Sequence, residues 1–330
     1  MANKKAVLVG IDDYPDPRNR LNSCINDTLA FRKILTDIYA FSPSDITLLH
    51  NQNATLDNVR RALDALFVGA SAGDKLVFYE SSHGYRMLEG DTMVEVLCLY
   101  DKFFEDKELV DRTKNIPSSV LTVVLDACHA GGMDKVFFPG GEASFVRNKV
   151  FQPPHEDAVT RIGVLQQVTK IRFFGQKPTS DIGTVVKQFA TPPTLDIPAA
   201  KELAEPVLNA ALLAACMADE TAAAGSPATS SLSAFTFGLT QTLDPSLPLR
   251  SLCDRVIAKV KSLNLHQTPV YWVPPANQLL ADETFILMEP TSPAAPPPSP
   301  SRPGAGEPAA NVAAAIASIV GSHRKQYIPS

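Results

Sequence analysis

Two reactive side chains stand at the ends of two apolar runs. Residues 120–132 read VLTVVLDACHAGG, where Cys128 follows Val120, Leu121, Val123, Val124 and Leu125 and sits two places after Asp126. Residues 75–84 read KLVFYESSHG and deliver His83. Runs of this composition are strands buried on both faces. The carboxyl end of such a strand is where open α/β sheets hold their ligands. A cysteine attacks as thiolate, and histidine is its usual base. If the two strands are parallel neighbours, His83 and Cys128 emerge on one edge. Taken alone, the Cys128 stretch equally suits a buried structural cysteine.

The rest of the chain reads as the elements such a pair needs. Residues 6–11 (AVLVGI) form a first buried strand, followed by a loop at 12–20 rich in Asp, Pro and Arg. Ile25, Leu29, Ile34, Leu35 and Ile38 recur at helical spacing within 22–38. A short strand at 45–49 precedes a helix that Thr55 can cap, with Val59, Leu63, Leu66 and Phe67 on its apolar face. Residues 93–100 suit a short strand or hairpin arm, and an acidic, mobile segment runs on to 115. Regular structure resumes at 207–216 (VLNAALLAAC) as a strand, with helix as the alternative for so Ala-rich a run. Helices follow at 233–243 and 249–263, then a strand at 267–273 whose Pro269 points to a sheet edge. Residues 278–288 complete the domain, and no repeat is apparent. Strands alternating with helices give an α/β class: a mostly parallel central sheet flanked by helices on both faces.

Composition removes several function classes. The chain has 330 residues and a net charge of −5, which argues against nucleic-acid binding. No apolar run is long enough to span a bilayer, and the first residues lack a secretory signal, so no membrane partner is expected. Five scattered cysteines, Cys24, Cys98, Cys128, Cys216 and Cys253, without CxxC pairs suit a reducing, cytoplasmic setting. Apart from Cys128 they lie in apolar or helical runs and read as core residues. Residues 290–308 are a proline-rich linker that packs no core, and 309–320 are an Ala-rich helix candidate before a basic end that could dock a partner or the parent domain, with a disordered tail as the alternative.

The spacing then becomes specific. His83 lies 45 residues before Cys128, near the roughly 50 of a caspase-type pair. FYESSHG and LDACHAGG resemble the histidine and cysteine motifs of the caspase–hemoglobinase clan, most of all metacaspases and prokaryotic caspase-like peptidases, which read Y-S-G-H-G and D-S-C-H-S-G. CIND at 24–27 is similar to that family's C-x-N-D block, AACMADETA at 214–222 to its small-subunit block G-C-x-D-D-Q-T, and AFTF at 234–237 to the helix start that follows. The resemblance implies a caspase-like fold. It also implies Cys128 as nucleophile and His83 as general base, with the N–H groups of Gly84 and Cys128 as oxyanion hole. Asp126, Asp27 and Ser81 match the pocket for P1, the residue whose carbonyl is attacked. Two carboxylates there favour Arg or Lys. His129 matches the motif in a structural role. Three departures stand out: Ser82 replaces the glycine before the histidine, Glu80 replaces a small or aromatic residue, and Glu220 replaces the glutamine of the small-subunit block. A turn at Ser82 that needs a positive φ would be strained.

On that resemblance the chain divides into a large-subunit-like part (1–132), a linker or insertion open to processing (133–205), a small-subunit-like part (206–289) and a proline-rich, Ala-rich and basic tail (290–330). Arg147, Lys149, Arg161, Lys170 and Arg172 are basic P1 candidates in the linker, which could instead cover the site until cleaved or displaced. Many metacaspases need calcium. The acids near the matching loop are Glu89, Asp91, Glu95, Asp101 and Asp134, with Asp91 and Asp101 the candidate ligands. The expectation is a caspase-like cysteine endopeptidase acting on proteins or peptides with Arg or Lys at P1, regulated by self-processing, an upstream protease or another activator. Its rivals are a catalytically weak caspase-fold adaptor and a serine hydrolase using Ser81 or Ser82. The last lacks a G-x-S-x-G elbow.

Overall fold

The computed structural model describes residues 2–89, 92–128, 147–152, 170–172, 207–217 and 220–286. In chain order the elements are β1 (Lys4–Gly10), α1 (Cys24–Asp37), β2 (Ile46–His50), α2 (Leu56–Phe67), β3 (Lys75–Ser81), β4 (His83–Glu89), β5 (Thr92–Cys98), β6 (Phe103–Glu105), α3 (Asp106–Thr113), β7 (Leu121–Asp126), β8 (Lys170–Arg172), β9 (Ala211–Ala214), α4 (Ala234–Thr242), α5 (Leu249–Lys261) and β10 (Val270–Trp272).

Six strands form the main sheet in the order β10-β9-β7-β3-β1-β2. All its pairings are parallel except the edge pair β9–β10. Alternate residues of each strand feed two cores, as a period of two requires. Leu8, Tyr79, Val124 and Leu213 join α1, α4 and α5 on one face, through Phe31, Ile34, Phe235 and Val256. Val9, Phe78, Val123 and Leu212 join α2 and α3 on the other, through Val59, Leu63 and Leu109. Helices therefore cover both faces, as the alternation of strands and helices implies. Pro269 immediately precedes the antiparallel edge strand β10, and residues 211–214 are strand rather than helix.

Two segments differ from expectation. The histidine run continues directly into β4, which pairs antiparallel with β5 to begin a second, smaller sheet joined by β6 and β8. The acidic stretch after residue 100 is ordered as β6 and α3. Its helix carries few apolar residues, Leu109 and Val110 among them, and is supported by Lys107–Asp111 and Glu108–Arg112 ion pairs one turn apart, with Arg60 of α2 also bound to Glu108. Such a helix has little hydrophobic period to read.

Loop residues fix how α1 enters. Asp12 accepts from the N–H groups of Ser23 (2.9 Å), Cys24 (2.8 Å) and Ile25 (3.2 Å), the otherwise unpaired donors at the start of the helix. That capping sets the height of Asp27, one turn on. Thr55 caps α2 through Asn58 N–H, as its sequence position implies. Among the described residues no helix is long and apolar enough to cross a membrane.

Phe31 has no exposed surface, stacks on Tyr79 at 4.5 Å and meets the edge of Phe285. Phe31→Ala should cost about 3–5 kcal/mol, read as a lower urea midpoint with an unchanged m-value.

Candidate active site

The register of β3 against β7 pairs Ser81 with Asp126. His83 and Cys128 each lie two residues beyond that pair, on the same edge of the sheet. Gly84 presses onto the chain beside Cys128 so closely that a Cβ there would stand 1.7 Å from the Cys128 carbonyl oxygen. Only glycine fits this approach. Ser82 keeps a negative φ, so the serine in place of glycine carries no strain of that kind. Its hydroxyl bonds Glu80 Oε1 at 2.8 Å, and burial pushes the Glu80 carboxyl up to about 8.

The tautomer of His83 follows from its partner. Nε2 stands 2.7 Å from the Asn19 carbonyl oxygen, which can only accept, so Nε2 carries the proton. Nδ1 is then the basic nitrogen. It is buried and has no hydrogen-bond partner among the described residues. Burial depresses the imidazole to about 4, a shift opposed by the Asn19 carbonyl and the Lys149 main chain. Tyr14 OH receives the His83 N–H at 3.0 Å and donates to the Cys98 carbonyl at 2.8 Å, fixing the backbone under the ring.

Cys128 is fully buried. Its Sγ lies 3.3 Å from the Ala222 carbonyl oxygen and receives the Ala222 N–H at 2.6 Å. That same carbonyl accepts the N–H of Lys149 at 3.0 Å. The sulfur and the Lys149 backbone therefore meet on one group.

Residues 147–152 run through the site as a segment outside the named strands, joined to its neighbours by isolated bridges at Asn148 and Val150. The Lys149 carbonyl accepts the Gly84 N–H at 3.0 Å, the Gly84 carbonyl accepts the Phe151 N–H at 3.1 Å, and the Arg147 carbonyl accepts the Ala224 N–H at 2.9 Å. The segment thus bridges Gly84 of the small sheet to Ala223 beyond β9. The Lys149 side chain is wholly buried. Its ammonium donates to Ser81 Oγ and to the Asp126 carbonyl oxygen, both at 2.8 Å, and pairs with Asp126 Oδ1 at 2.8 Å and Asp27 Oδ2 at 3.4 Å. Burial alone would lower the ammonium's affinity for its proton, but Asp126, Cys24 and Asp27 raise it well above the ordinary lysine value. Burial pushes Asp27 up to about 7 against the pull of Lys149.

Of the sequence candidates, Ser81, Asp126 and Asp27 meet the Lys149 ammonium and Gly84 meets the Lys149 carbonyl. Cys128 reaches the same segment through Ala222, and His83 lies two residues beyond the Ser81–Asp126 pair. Of the basic linker residues, Lys149 enters the acid pocket, while Arg147 is exposed and bonds the Arg20 carbonyl. Lys170 and Arg172 lie in β8, and Arg161 falls outside the described residues, as do His129, Asp91 and Asp134. Asp101 accepts the Leu56 N–H at 2.8 Å at the start of α2, and Glu95 pairs with Arg86 at 2.9 Å. Among the described residues no three His, Cys, Asp or Glu side chains converge as metal ligands. Glu220 accepts the Thr268 N–H at 2.5 Å and its hydroxyl at 2.8 Å, tying the loop after β9 to the start of β10. All five cysteines are buried, and none is joined in a disulfide.

Sequence reasoning missed Asn19, Tyr14, Ser233 and Thr236. Ser233 gives its N–H to Asp27 Oδ1 at 2.8 Å and its hydroxyl to Asp27 Oδ2, and Thr236 donates to Asp126 Oδ2 at 2.6 Å. Thr236 lies inside the AFTF block, whose resemblance was its only signal. Asn19 acts through a backbone carbonyl, which no residue type marks.

A caspase domain family model matches residues 3–279. Metacaspase-4 of Arabidopsis thaliana is 36% identical over 145 residues, covering 39% of this chain and 34% of that protein. Metacaspase-1 of Arabidopsis thaliana is 37% identical over 146 residues, 39% of each chain. The matched stretch thus spans well under half the length of these relatives. A solved structure from Geobacter sulfurreducens, 19% identical, covers 87% of this chain and 100% of that one with a TM-score of 0.57, a likeness of fold.

A buried neutral imidazole has a readable titration. With a folded value near 4 and an unfolded value near 6.5, the unfolded chain binds more protons between them. His83 therefore contributes stability above about 6.5 that is lost as pH falls towards 4. Asp27, raised from 3.8 to about 7, does the reverse, losing stability as pH rises through that window. Because the two oppose, the measurement is site-resolved. Nitrogen-15 NMR of Cys128→Ala should show His83 as the Nε2–H tautomer at pH 7, titrating near 4; a midpoint near 6.5 would refute the buried geometry.

Proposed function

This chain belongs to the caspase domain family, and on that premise we propose that it is a cysteine endopeptidase that cuts after lysine or arginine and cuts itself first, between Lys149 and Val150. One observation carries the reading: the chain holds its own lysine in the acid pocket with the backbone contacts of a substrate. The Lys149 carbonyl points at the Gly84 N–H, where an oxyanion would be stabilised. Its ammonium meets Ser81, Asp126 and Asp27, chemistry suited to a basic P1 and to no other side chain.

In this reading His83 Nδ1 takes the Cys128 thiol proton and Sγ attacks the Lys149 carbonyl carbon. Negative charge gathers on the oxygen beside the Gly84 and Cys128 N–H groups. The imidazolium then gives its proton to the Val150 nitrogen as the bond breaks, leaving a thioester at Lys149. Water, deprotonated by the same imidazole, releases a Lys149 carboxylate and restores the thiol. The Asn19 carbonyl holds the Nε2 proton throughout, which keeps the basic lone pair on the reacting side. Sγ must first leave the Ala222 backbone, so the structure resembles a resting enzyme with its substrate loaded. Protein substrates with Arg or Lys at P1 would enter the same pocket once Lys149 vacates it.

Incubation of the purified chain, with calcium and with EDTA in parallel, should yield fragments 1–149 and 150–330 by intact mass. Cys128→Ala and Lys149→Gln should each leave that bond whole. Equal cleavage there in wild type and Cys128→Ala would sink the mechanism. An intact wild type whose Cys128 also resists an Arg-based acyloxymethylketone would favour the adaptor.

A further inference from the structure

Beyond the lysine, the segment makes contacts that a P1 pocket does not require. The ring of Phe151, two residues past the Lys149 carbonyl, lies edge-on to four others: Phe103 at 5.6 Å, Tyr14 at 6.0 Å, His83 at 6.1 Å and Tyr85 at 6.3 Å. Tyr85 and Phe103 stack on each other at 5.7 Å, forming one wall. These walls come from separate elements: the loop before α1, β4 and β6. Tyr14 cannot swing away, because its hydroxyl is tied to the Cys98 carbonyl and the His83 N–H. Phe151, Tyr85 and Phe103 are only half-buried, so the nest opens towards solvent.

One residue further, the Asn19 side chain grips the backbone of Gln152. Its Oδ1 accepts the Gln152 N–H at 2.8 Å and its Nδ2 donates to the Gln152 carbonyl at 2.9 Å. This two-point grip reads an extended backbone and no side chain. Asn19 is itself 1% exposed, and its carbonyl orients His83. Substrate binding on the leaving side is therefore joined to the base through one residue.

We infer that the enzyme selects an aromatic residue at P2′, the second position after the cut, in a nest formed by Tyr14, Tyr85 and Phe103, while Asn19 fixes the P3′ backbone. The inference rests on Lys149–Val150 being the scissile bond. Edge-to-face packing on three rings favours a planar aromatic side chain over an aliphatic one of similar size. A carboxylate there would be desolvated without a partner. An aromatic ring at P2′ also shields the imidazole edge from water, in keeping with the neutral His83.

The test uses the full-length chain. In cis, Phe151→Tyr should keep self-cleavage after Lys149 close to wild type, whereas Phe151→Ala and Phe151→Asp should slow it by roughly tenfold or more. In trans, the self-processed protein receives peptides with Lys at P1 and Phe, Leu, Ala or Asp at P2′, and kcat/KM should fall in that order. Phe103→Leu, checked for folding by circular dichroism, should flatten the series while still cutting after lysine. Cleavage after Lys149 at equal rates for Phe and Ala, in cis and in trans, would overturn the nest and leave the basic P1 reading intact. Absence of any cut after lysine would overturn both. A rate loss in cis with no preference in trans would show that Phe151 merely docks the segment, and also overturns the inference.

Discussion

Asp27 and Asp126 are both fully buried and face one ammonium. A carboxylate taken out of water costs several kcal/mol unless a cation and hydrogen bonds replace its hydration. The pocket supplies the hydrogen bonds itself, through Ser81, Ser233 and Thr236. Ser233 is the N-cap of α4, so the positive end of that helix also faces Asp27. What the pocket does not supply for both acids is the cation, and the chain brings it 122 residues after Asp27. Removing one member of such a buried set costs about 3–5 kcal/mol. The site is therefore built around a basic guest, and the segment that carries the guest is positioned by it.

That segment explains why the two sheets meet where they do. The main sheet ends at Ser81 and Asp126, and the small sheet begins at His83. A side chain at residue 84 would collide with the Cys128 carbonyl, so glycine allows the small sheet to start against the Cys128 backbone. The guest segment lies in the resulting gap, bonded to Gly84 on one side and to Ala222 and Ala224 on the other. The ammonium fixes its register, because a slip of one residue would point Lys149 away from the carboxylates. The Lys149 carbonyl is thus placed on the Gly84 N–H by pocket chemistry.

Much of this could be read from the chain. The strands bearing His83 and Cys128 are long apolar runs, and the carboxylates fall in blocks whose order resembles a known family. The fold class followed from alternation alone. The small sheet and α3 were harder. β4 begins in the reactive motif itself, and α3 depends on ion pairs that periodicity does not register. Least legible was the use of Lys149. Five linker cations were equal candidates by residue type, and among the described ones only Lys149 is held with its carbonyl on Gly84 and its ammonium on Asp126. Such a choice is made by contacts that span 23 to 122 residues of chain and has no local signature. Asn19 hides for another reason: its carbonyl directs the base, while its side chain grips the backbone of Gln152.

A tethered guest also imposes an order of events. A ligand covalently joined to its receptor binds in an intramolecular step, which favours it over a free competitor. Any second peptide with a basic P1 must displace Lys149 against that advantage. It must also break the backbone bonds to Gly84, Ala222 and Ala224 and reopen a pocket whose two buried acids then lose their cation. In the function proposed above, cutting after Lys149 changes this balance without altering the pocket. The non-prime product stays attached through residues 129–146, but it ends in a new carboxylate beside the Gly84 N–H and loses the backbone continuity that Phe151 and Gln152 provided. Their contacts with the aromatic rings and Asn19 no longer hold Lys149 in register. Occupancy of the acid pocket then depends on the lysine and its preceding residues alone, and an incoming substrate that spans the cut contributes interactions on both sides.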